Sequence, residues 1–514
     1  MSKTIIIIGA GLAGLSAALQ AAENGCNVKL VSSLPSERAQ SVMAEGGINA
    51  ALNTKDENDS PEEHFTDTIK AACGLADPNA VWGMTQAAPE LVHWLLKLGV
   101  KFNMSGYDDV DLRNFGGQKK KRTAFAQSDT GKQIMTAMID AVRRKEASGM
   151  VERFSHHSFL TLRLCGNICC GCVIRDEYSQ ETVELPGDAV IVATGGMHGL
   201  FGNTTGSLSN TGEVTAELFR LGVPLANGEM IQYHPTTVKC GGKRMLISEA
   251  ARGEGGRLFA MKDGKQWYFM EEKYPELGNL MPRDITAREI WKVSHESEVF
   301  LDMTEISEEI ISNKLSGLAD DCMTYLHKDI RKEPVSVLPG IHYFMGGILV
   351  DEQHRTPIQN LYAAGECCAQ YHGANRLGGN SLLGALYGGR VAAKSACEQA
   401  DAVDLSCATQ IDFPPASQIS EIKQLNKVMQ ETMGVVRNEN TLLNGIQTVQ
   451  ALTGNLPLLG MAVLKSALAR KESRGAHWRE DYPKSNDDNY LKTTVARFDG
   501  KQIQISFVPV PERR

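Results

Sequence analysis

Haem and metal signatures are missing from this sequence. No CxxCH occurs, which excludes a covalently attached c-type haem, and none of the 12 cysteines falls into an iron–sulfur pattern. Cys169-Cys170-Gly171-Cys172 lies in an apolar segment without a further His or Cys group at zinc spacing, so no metal site is expected. The cysteines, among them the adjacent Cys367 and Cys368, do not read as a disulfide framework. With no export signal, they fit a reducing cytoplasm. Positive charge is not in excess either. The net charge of -8 leaves no global field to attract nucleic acid or an anionic membrane, so an anionic substrate needs local arginines. Long hydrophobic runs are scarce. Residues 4–22 are nearly all apolar, but they contain Gly9, Gly11 and Gly14, and only Lys3 precedes them. No other run approaches the ~20 apolar residues that span a bilayer, so no direct membrane span is expected.

What is present is ordinary in bulk and specific in detail. The 514 residues are 42% hydrophobic and 22% charged, as in a soluble globular chain. At about 150 residues per domain, roughly three folding units fit that length. Residues 4–8 form a β-branched run, the pattern of a strand buried on both faces. Gly9-Ala10-Gly11-Leu12-Ala13-Gly14 follows at once, then a helical stretch over 15–24 stopped by Gly25, then a second apolar strand over 27–31. This is the βαβ setting of a dinucleotide site. Gly9 permits the tight turn, Gly11 lets the backbone approach a pyrophosphate, and Gly14 lets helix and strand pack closely. The pyrophosphate is placed on the helix N-terminus. Ser32-Ser33 stands where an acidic ribose ligand is usual, which disfavours NAD and leaves a hydroxyl contact open. No second GxGxxG follows a strand, so a single dinucleotide site is expected.

Later segments resemble the FAD contacts of two-dinucleotide-type flavoproteins. They are Ala193-Thr194-Gly195-Gly196 at the end of a strand and LYAAGE (361–366) with Gly365 and Glu366. SVMAEGG (41–47, with Ser41, Ala44, Glu45, Gly46 and Gly47), Glu213 in NTGE and Asn380-Ser381-Leu382 resemble further flavin contacts. Five motifs then occur in order: QYHPTT (232–237), ISEAARGEGG (247–256), MPRDITARE (281–289), HYFMGG (342–347) and HGANRLGGNSL (372–382). In order and spacing they resemble the flavoprotein subunits of fumarate reductase and succinate dehydrogenase, over about residues 4–500. SRGAHWREDYP (473–483) resembles that family's C-terminal helical region.

The resemblance implies a doubly wound α/β FAD-binding domain (1–220 and 340–400), an inserted α+β capping domain (221–339) and a C-terminal helical domain (415–500). Helices are expected near 417–433 and 456–472. It implies hydride transfer from the flavin to a C4 dicarboxylate, fumarate or succinate. His234, Ser248, His342 and Arg376 are implied as carboxylate binders, with Phe115 from the RNFGG segment also at the substrate. Arg283 is implied as proton donor, fed through Glu249 from Arg252. The types suit the tasks. Arg376 offers a planar fork for a carboxylate, and the imidazoles donate N–H bonds without another large charge to desolvate. A guanidinium acts as an acid only where neighbours disfavour its protonated form and a relay restores the proton. Without a redox metal motif of its own, the chain must draw electrons from outside. The resemblance implies an iron–sulfur partner subunit and, through it, a membrane anchor, with the chain itself cytoplasmic or membrane-peripheral.

Three positions depart from the family pattern. Gln40 stands where succinate-oxidising members carry a flavin-linking histidine, so non-covalent FAD is expected, with a bias toward fumarate reduction. Thr237 replaces the glycine after HPT, and Phe344 a small residue after HY. Phe344 either narrows the pocket or packs behind it; packing is the commoner role of a buried aromatic. Two related activities stay open: L-aspartate oxidase, whose amine-binding glutamate is absent from Arg113-Asn114-Phe115-Gly116-Gly117-Gln118, and reduction of another unsaturated acid. Lys119-Lys120-Lys121 reads as a solvated loop.

Overall fold

Ile5 and Ile7 point into one hydrophobic core and Ile6 and Ile8 into another, and all four are at most 3% exposed. A strand buried on both faces belongs at the centre of a sheet covered by two layers. The computed structural model, which describes residues 2–106, 109–401, 411, 413 and 418–514, places it there. Thr4–Ile8 is the middle strand of five, in the order Leu361–Ala363, Ala189–Val192, Thr4–Ile8, Asn27–Ser32, Val151–Ser155, all parallel. The helix Leu12–Glu23 follows the glycine turn and packs on the helix Asn380–Gln399. Contact is close: Ser16 Oγ donates to Leu386 O at 2.7 Å, and a Cβ on Gly389 would meet Ala13 O at 2.3 Å.

The segment between Ala189–Val192 and Leu361–Ala363 builds antiparallel sheets. Ile231–Cys240 pairs with Lys243–Leu246 on one side and Leu338–Phe344 on the other. A second sheet holds Lys265–Trp267, Arg257–Lys262, Val299–Asp302 and Val335–Ser336. Its core includes Leu258, Ile290 and Leu301, and Phe115 packs against it. The C-terminal helices Ile419–Thr432, Glu439–Val449 and Asn455–Ala469 pack through Leu425, Met429 and Val463 on Phe201 and Phe344.

Several expectations need adjustment. Ser417, expected at the start of the first C-terminal helix, lies outside the described residues. The stretch expected to be helical to residue 500 turns extended at Lys492–Phe498, which pairs with Leu225–Ala226 and Ile503–Pro509. Val495 and Ala496 are buried there, so non-local pairing decides the conformation. The motif at 473–483 is a buried clamp rather than a helix. Ala476 N–H donates to Ala374 O at 2.8 Å, and the His477 ring accepts from Arg437, which also donates to Glu229 O at 2.7 Å. The clamp therefore ties the loops that lead to Gln232 and to Arg376. Among the described cysteines ten are free thiols, but Cys165 is disulfide-bonded, an exception to the expected thiol chain. No described helix is long and apolar enough to cross a membrane, and no described cluster of acidic, His and Cys side chains could hold a metal.

Candidate active site

A cavity of about 870 Å³ opens at the C-terminal ends of the parallel strands, where open α/β sheets bind ligands. Its first part is a dinucleotide cradle. Gly9 has φ +112°, and a Cβ there would meet Ala193 O at 2.3 Å; one on Gly14 would meet Gly9 O at 1.8 Å. Gly11 differs. A Cβ there would find nothing nearer than Ser41 Oγ at 3.7 Å, so its surface is left open to a ligand. Gly11 caps the helix without a side-chain bond of its own; the Leu12 N–H donates to Ser41 Oγ at 3.3 Å, which leaves the other N–H groups of the first turn to face that space. Ser32 Oγ is buried without a partner at the place expected for a ribose hydroxyl.

The predicted cofactor residues reach this cavity with two exceptions, Gly14 and Asn380. Gly9 to Ala13, Ser32, Ser33, Gln40, Ser41, Ala44 to Gly47, Ala193 to Gly195, Glu213, Gly365, Glu366, Arg376, Ser381 and Leu382 all line it, while Gly14 packs beneath against Gly9 O. Asn380 does not line it either. Its Oδ1 accepts from Asn49 at 2.8 Å and meets His64 Nε2 at 2.9 Å, while its amide donates to Thr68. It anchors the start of its helix beneath the site. Gln40 Oε1 accepts from Ser207 N–H at 2.6 Å, so the amide bridges two loops of the cavity wall. Glu45 Oε2 has no partner, and burial, then Asp321 and Asp129, push its carboxyl up to about 8, so it is protonated at neutral pH.

The second part is built for an anion. Arg376 is 3% exposed, its guanidinium lies 4.2 Å over the Tyr343 ring, and it has no carboxylate partner among the described residues. Its Nε lacks any hydrogen bond. Burial, then Arg283, lowers its pKa to about 9, still charged at neutral pH. His234 and His342 stack edge to face at 5.1 Å. Burial, then Arg283, holds both well below the usual histidine range, so both rings are neutral. Thr205 Oγ1 lies 2.8 Å from His342 Nδ1. A hydroxyl donating there makes Nε2 the N–H donor, the form that suits a carboxylate. Ser248 caps a short helix by accepting from Ala250 N–H at 3.4 Å, and its hydroxyl is also within reach of the Glu45 carboxyl. Phe115 lines the cavity with its ring against Gly46.

Opposite these groups sits the expected relay. Arg283 opens the helix Arg283–Val293 and donates from Nε (2.8 Å) and Nη2 (2.5 Å) to Glu249 Oε2. Arg252 Nη2 lies 3.3 Å from Glu249 Oε1, out of line for a hydrogen bond, and its Nη1 donates to Asn279 O at 2.6 Å. Burial alone would raise Glu249, but the two guanidiniums and Gly116 N–H hold it below the usual carboxylate range. Arg283 and Glu249 line the cavity; Arg252 stands behind them. Gln232, the first residue of the QYHPTT motif, joins this relay without having been expected at the site. Its Oε1 accepts from Arg283 Nη1 at 3.1 Å, and its amide donates to Asn375 Oδ1 and Arg376 O. Asn375 in turn donates to Asp284, so one amide network ties the Arg283 helix to the Arg376 loop. Phe344 is 1% exposed and packs on His198 and Phe201, off the cavity wall. Thr237 is also buried off the wall.

A family model described as FAD binding domain matches residues 4–382, and one described as fumarate reductase flavoprotein C-term matches residues 452–513. The chain belongs to the succinate dehydrogenase/fumarate reductase flavoprotein family. It is 38% identical to a succinate dehydrogenase flavoprotein subunit of Bacillus subtilis, over 100% of this chain and 98% of the relative. It is 32% identical to an 8-methylmenaquinol:fumarate reductase flavoprotein subunit of Wolinella succinogenes, over 100% and 92%. A quinol fumarate reductase structure from E. coli superimposes with a TM-score of 0.89 at 27% identity, covering 99% and 97%. The FAD of this flavoprotein family fits the cradle described above: the open face of Gly11, the N–H groups of the helix start and the orphaned Ser32 hydroxyl would hold it.

Proposed function

We propose that this flavoprotein reduces fumarate to succinate. The observation that carries the reading is Arg376, a buried guanidinium without a carboxylate partner among the described residues, facing the same cavity as Arg283 and two neutral histidines. A buried cation without a partner is costly, and a dicarboxylate supplies the missing charge. Arg376 takes one carboxylate bidentately, with His342 N–H beside it. His234 N–H and the Ser248 hydroxyl take the other. These donors stabilise the charge that builds on the carboxylate as the double bond is reduced. FAD, when bound, supplies the hydride equivalent to one olefinic carbon. Arg283 gives a proton to the other carbon and regains it through Glu249 from Arg252. The 221–339 segment acts as a cap that closes this arrangement against water. A partner subunit that carries electrons through iron–sulfur centres is the expected source, since both relatives above are named as subunits.

The test is anaerobic reoxidation of the dye-reduced holoprotein by a panel of enoates. Fumarate is expected to reoxidise it fastest. Faster reoxidation by another enoate would replace fumarate as substrate, and peroxide formed from aspartate in air would identify an aspartate oxidase.

Gln40 supports non-covalent FAD, because an amide is no nucleophile toward the flavin and here its carbonyl is already engaged by Ser207. Unfolding in denaturant is expected to release all the flavin into the filtrate, and colour that stays with the polypeptide would contradict this. Without the covalent link the reduced cofactor is the stronger donor, which favours fumarate reduction over succinate oxidation.

A further inference from the structure

Thr237 is a departure whose purpose lies one side chain away. Its hydroxyl donates to Leu338 O at 2.7 Å and accepts from Arg244 Nε at 2.6 Å. Arg244 Nη2 donates to the same Leu338 carbonyl at 3.3 Å. Below the guanidinium lies Gly340, where a Cβ would meet Arg244 Cδ and Nε at 2.6 Å, so the side chain is pinned from two sides. Arg244 N–H donates to Thr204 O at 3.2 Å, next to the Thr205 that holds His342.

So held, Arg244 lines the cavity as a fixed, half-buried cation, while its neighbour Lys243, which also lines the cavity, is exposed to solvent. Arg244 has no carboxylate within 4.0 Å among the described residues. Nearby arginines differ: Arg252, Arg257 and Arg283 each face a glutamate. A half-buried cation without a counter-ion, at the rim of a compartment whose floor holds another, sets up a field that draws anions inward.

We propose that Arg244, positioned by Thr237, is a specificity-determining residue that captures the dianionic substrate at the mouth of the compartment and favours dicarboxylates over monocarboxylates. This rests on the dicarboxylate reading of the inner site. A glycine after HPT would leave the guanidinium without its brace at Nε. Electrostatic capture acts on association and weakens with salt, so its signature lies in kcat/KM rather than kcat.

The experiment compares wild type, Arg244→Gln, Thr237→Val and the double variant on fumarate and on monomethyl fumarate, at low and high ionic strength. Arg244→Gln is expected to lower kcat/KM for fumarate about tenfold at low salt. The monoester should change less than kcat/KM for fumarate by several-fold, kcat should fall much less, and the salt dependence should flatten. Thr237→Val should give an intermediate loss, with the double variant no worse than Arg244→Gln alone. Equal losses on both substrates with a lowered Tm would mean a structural brace and overturn the proposal. So would an unchanged fumarate-to-monoester ratio. Flavin absorbance titrated with malonate and its monoethyl ester reads the same selectivity without turnover. A wild type that prefers malonate but does not reduce fumarate sinks the fumarate reading and leaves the Arg244 comparison readable. A wild type without dianion preference overturns both.

Discussion

Replacing Arg283 by glutamine is expected to leave FAD bound and to cut fumarate reduction by roughly 10³-fold or more, the usual scale for loss of a positioned acid. The glutamine keeps a polar side chain at the head of the helix but has no proton to deliver to carbon. Arg283 also supplies both of the close charged contacts to Glu249 Oε2. Removing one partner of a buried pair typically costs about 3–5 kcal/mol of stability, so instability is a rival explanation for lost activity. In Arg283→Gln the Glu249 carboxylate keeps Arg252 Nη2 at 3.3 Å, so thermal midpoint and flavin absorbance read beside turnover separate the two explanations. Turnover lost at near-normal thermal stability and flavin content is the expected result. Near-normal reduction of fumarate in Arg283→Gln would end the assignment of Arg283 as proton donor.

The second large effect belongs to Arg376. Arg376→Gln is expected to weaken binding of malonate and fumarate by about 2–5 kcal/mol, the range for truncating a buried charge contact. That is roughly 30-fold or more in Kd. Flavin should remain bound, as measured by absorbance titration. A pH series on the wild type gives an independent check. The guanidinium carries its charge below its pKa of about 9 and loses it as pH rises through that value. Malonate affinity should therefore be flat between about pH 6 and 7, since His234 and His342 are already neutral there and Glu45, raised to about 8, is still protonated; from about pH 8 the ionising Glu45 begins to weaken it. Above about pH 9 it should fall further, approaching tenfold per pH unit. A flat profile to pH 10 would show that another group holds the anion.

Local features of the sequence translated well into structure. The strand, the glycine turn and the following helix are neighbours in the chain, so their pattern is complete within thirty residues, and the fold contains them almost as read. The arginines and histidines of the inner site were also legible, because each sits in a motif that carries its own backbone turn. Asn380 shows the limit of that reading. Its motif does reach the cavity through Ser381 and Leu382, but the asparagine side chain turns inward to His64 and Asn49, residues more than 300 positions away. Partners at that separation leave no mark on local pattern. The same holds for Lys492–Phe498, extended because Leu225–Ala226 waits for it, and for Thr237, which acts through Arg244. Phe344 resolves toward packing because the C-terminal helices bring Met429 and Val463 behind it.

The order of strands in the parallel sheet has a consequence for how the protein is made. Ala189–Val192 is next to Leu361–Ala363 in space but emerges roughly 170 residues earlier in synthesis. At about 5–20 residues per second, that sheet edge waits on the order of 10–30 s for its last strand. Val190, Ile191 and Val192, all 0% exposed in the finished fold, spend that interval without their neighbour. The nucleotide cradle is half formed during this time, since Gly365 and Glu366 arrive with the late strand. Loading of the cofactor is thereby confined to a chain already made past Glu366 of its 514 residues, and the nascent polypeptide depends on its own open edge staying unpaired until then.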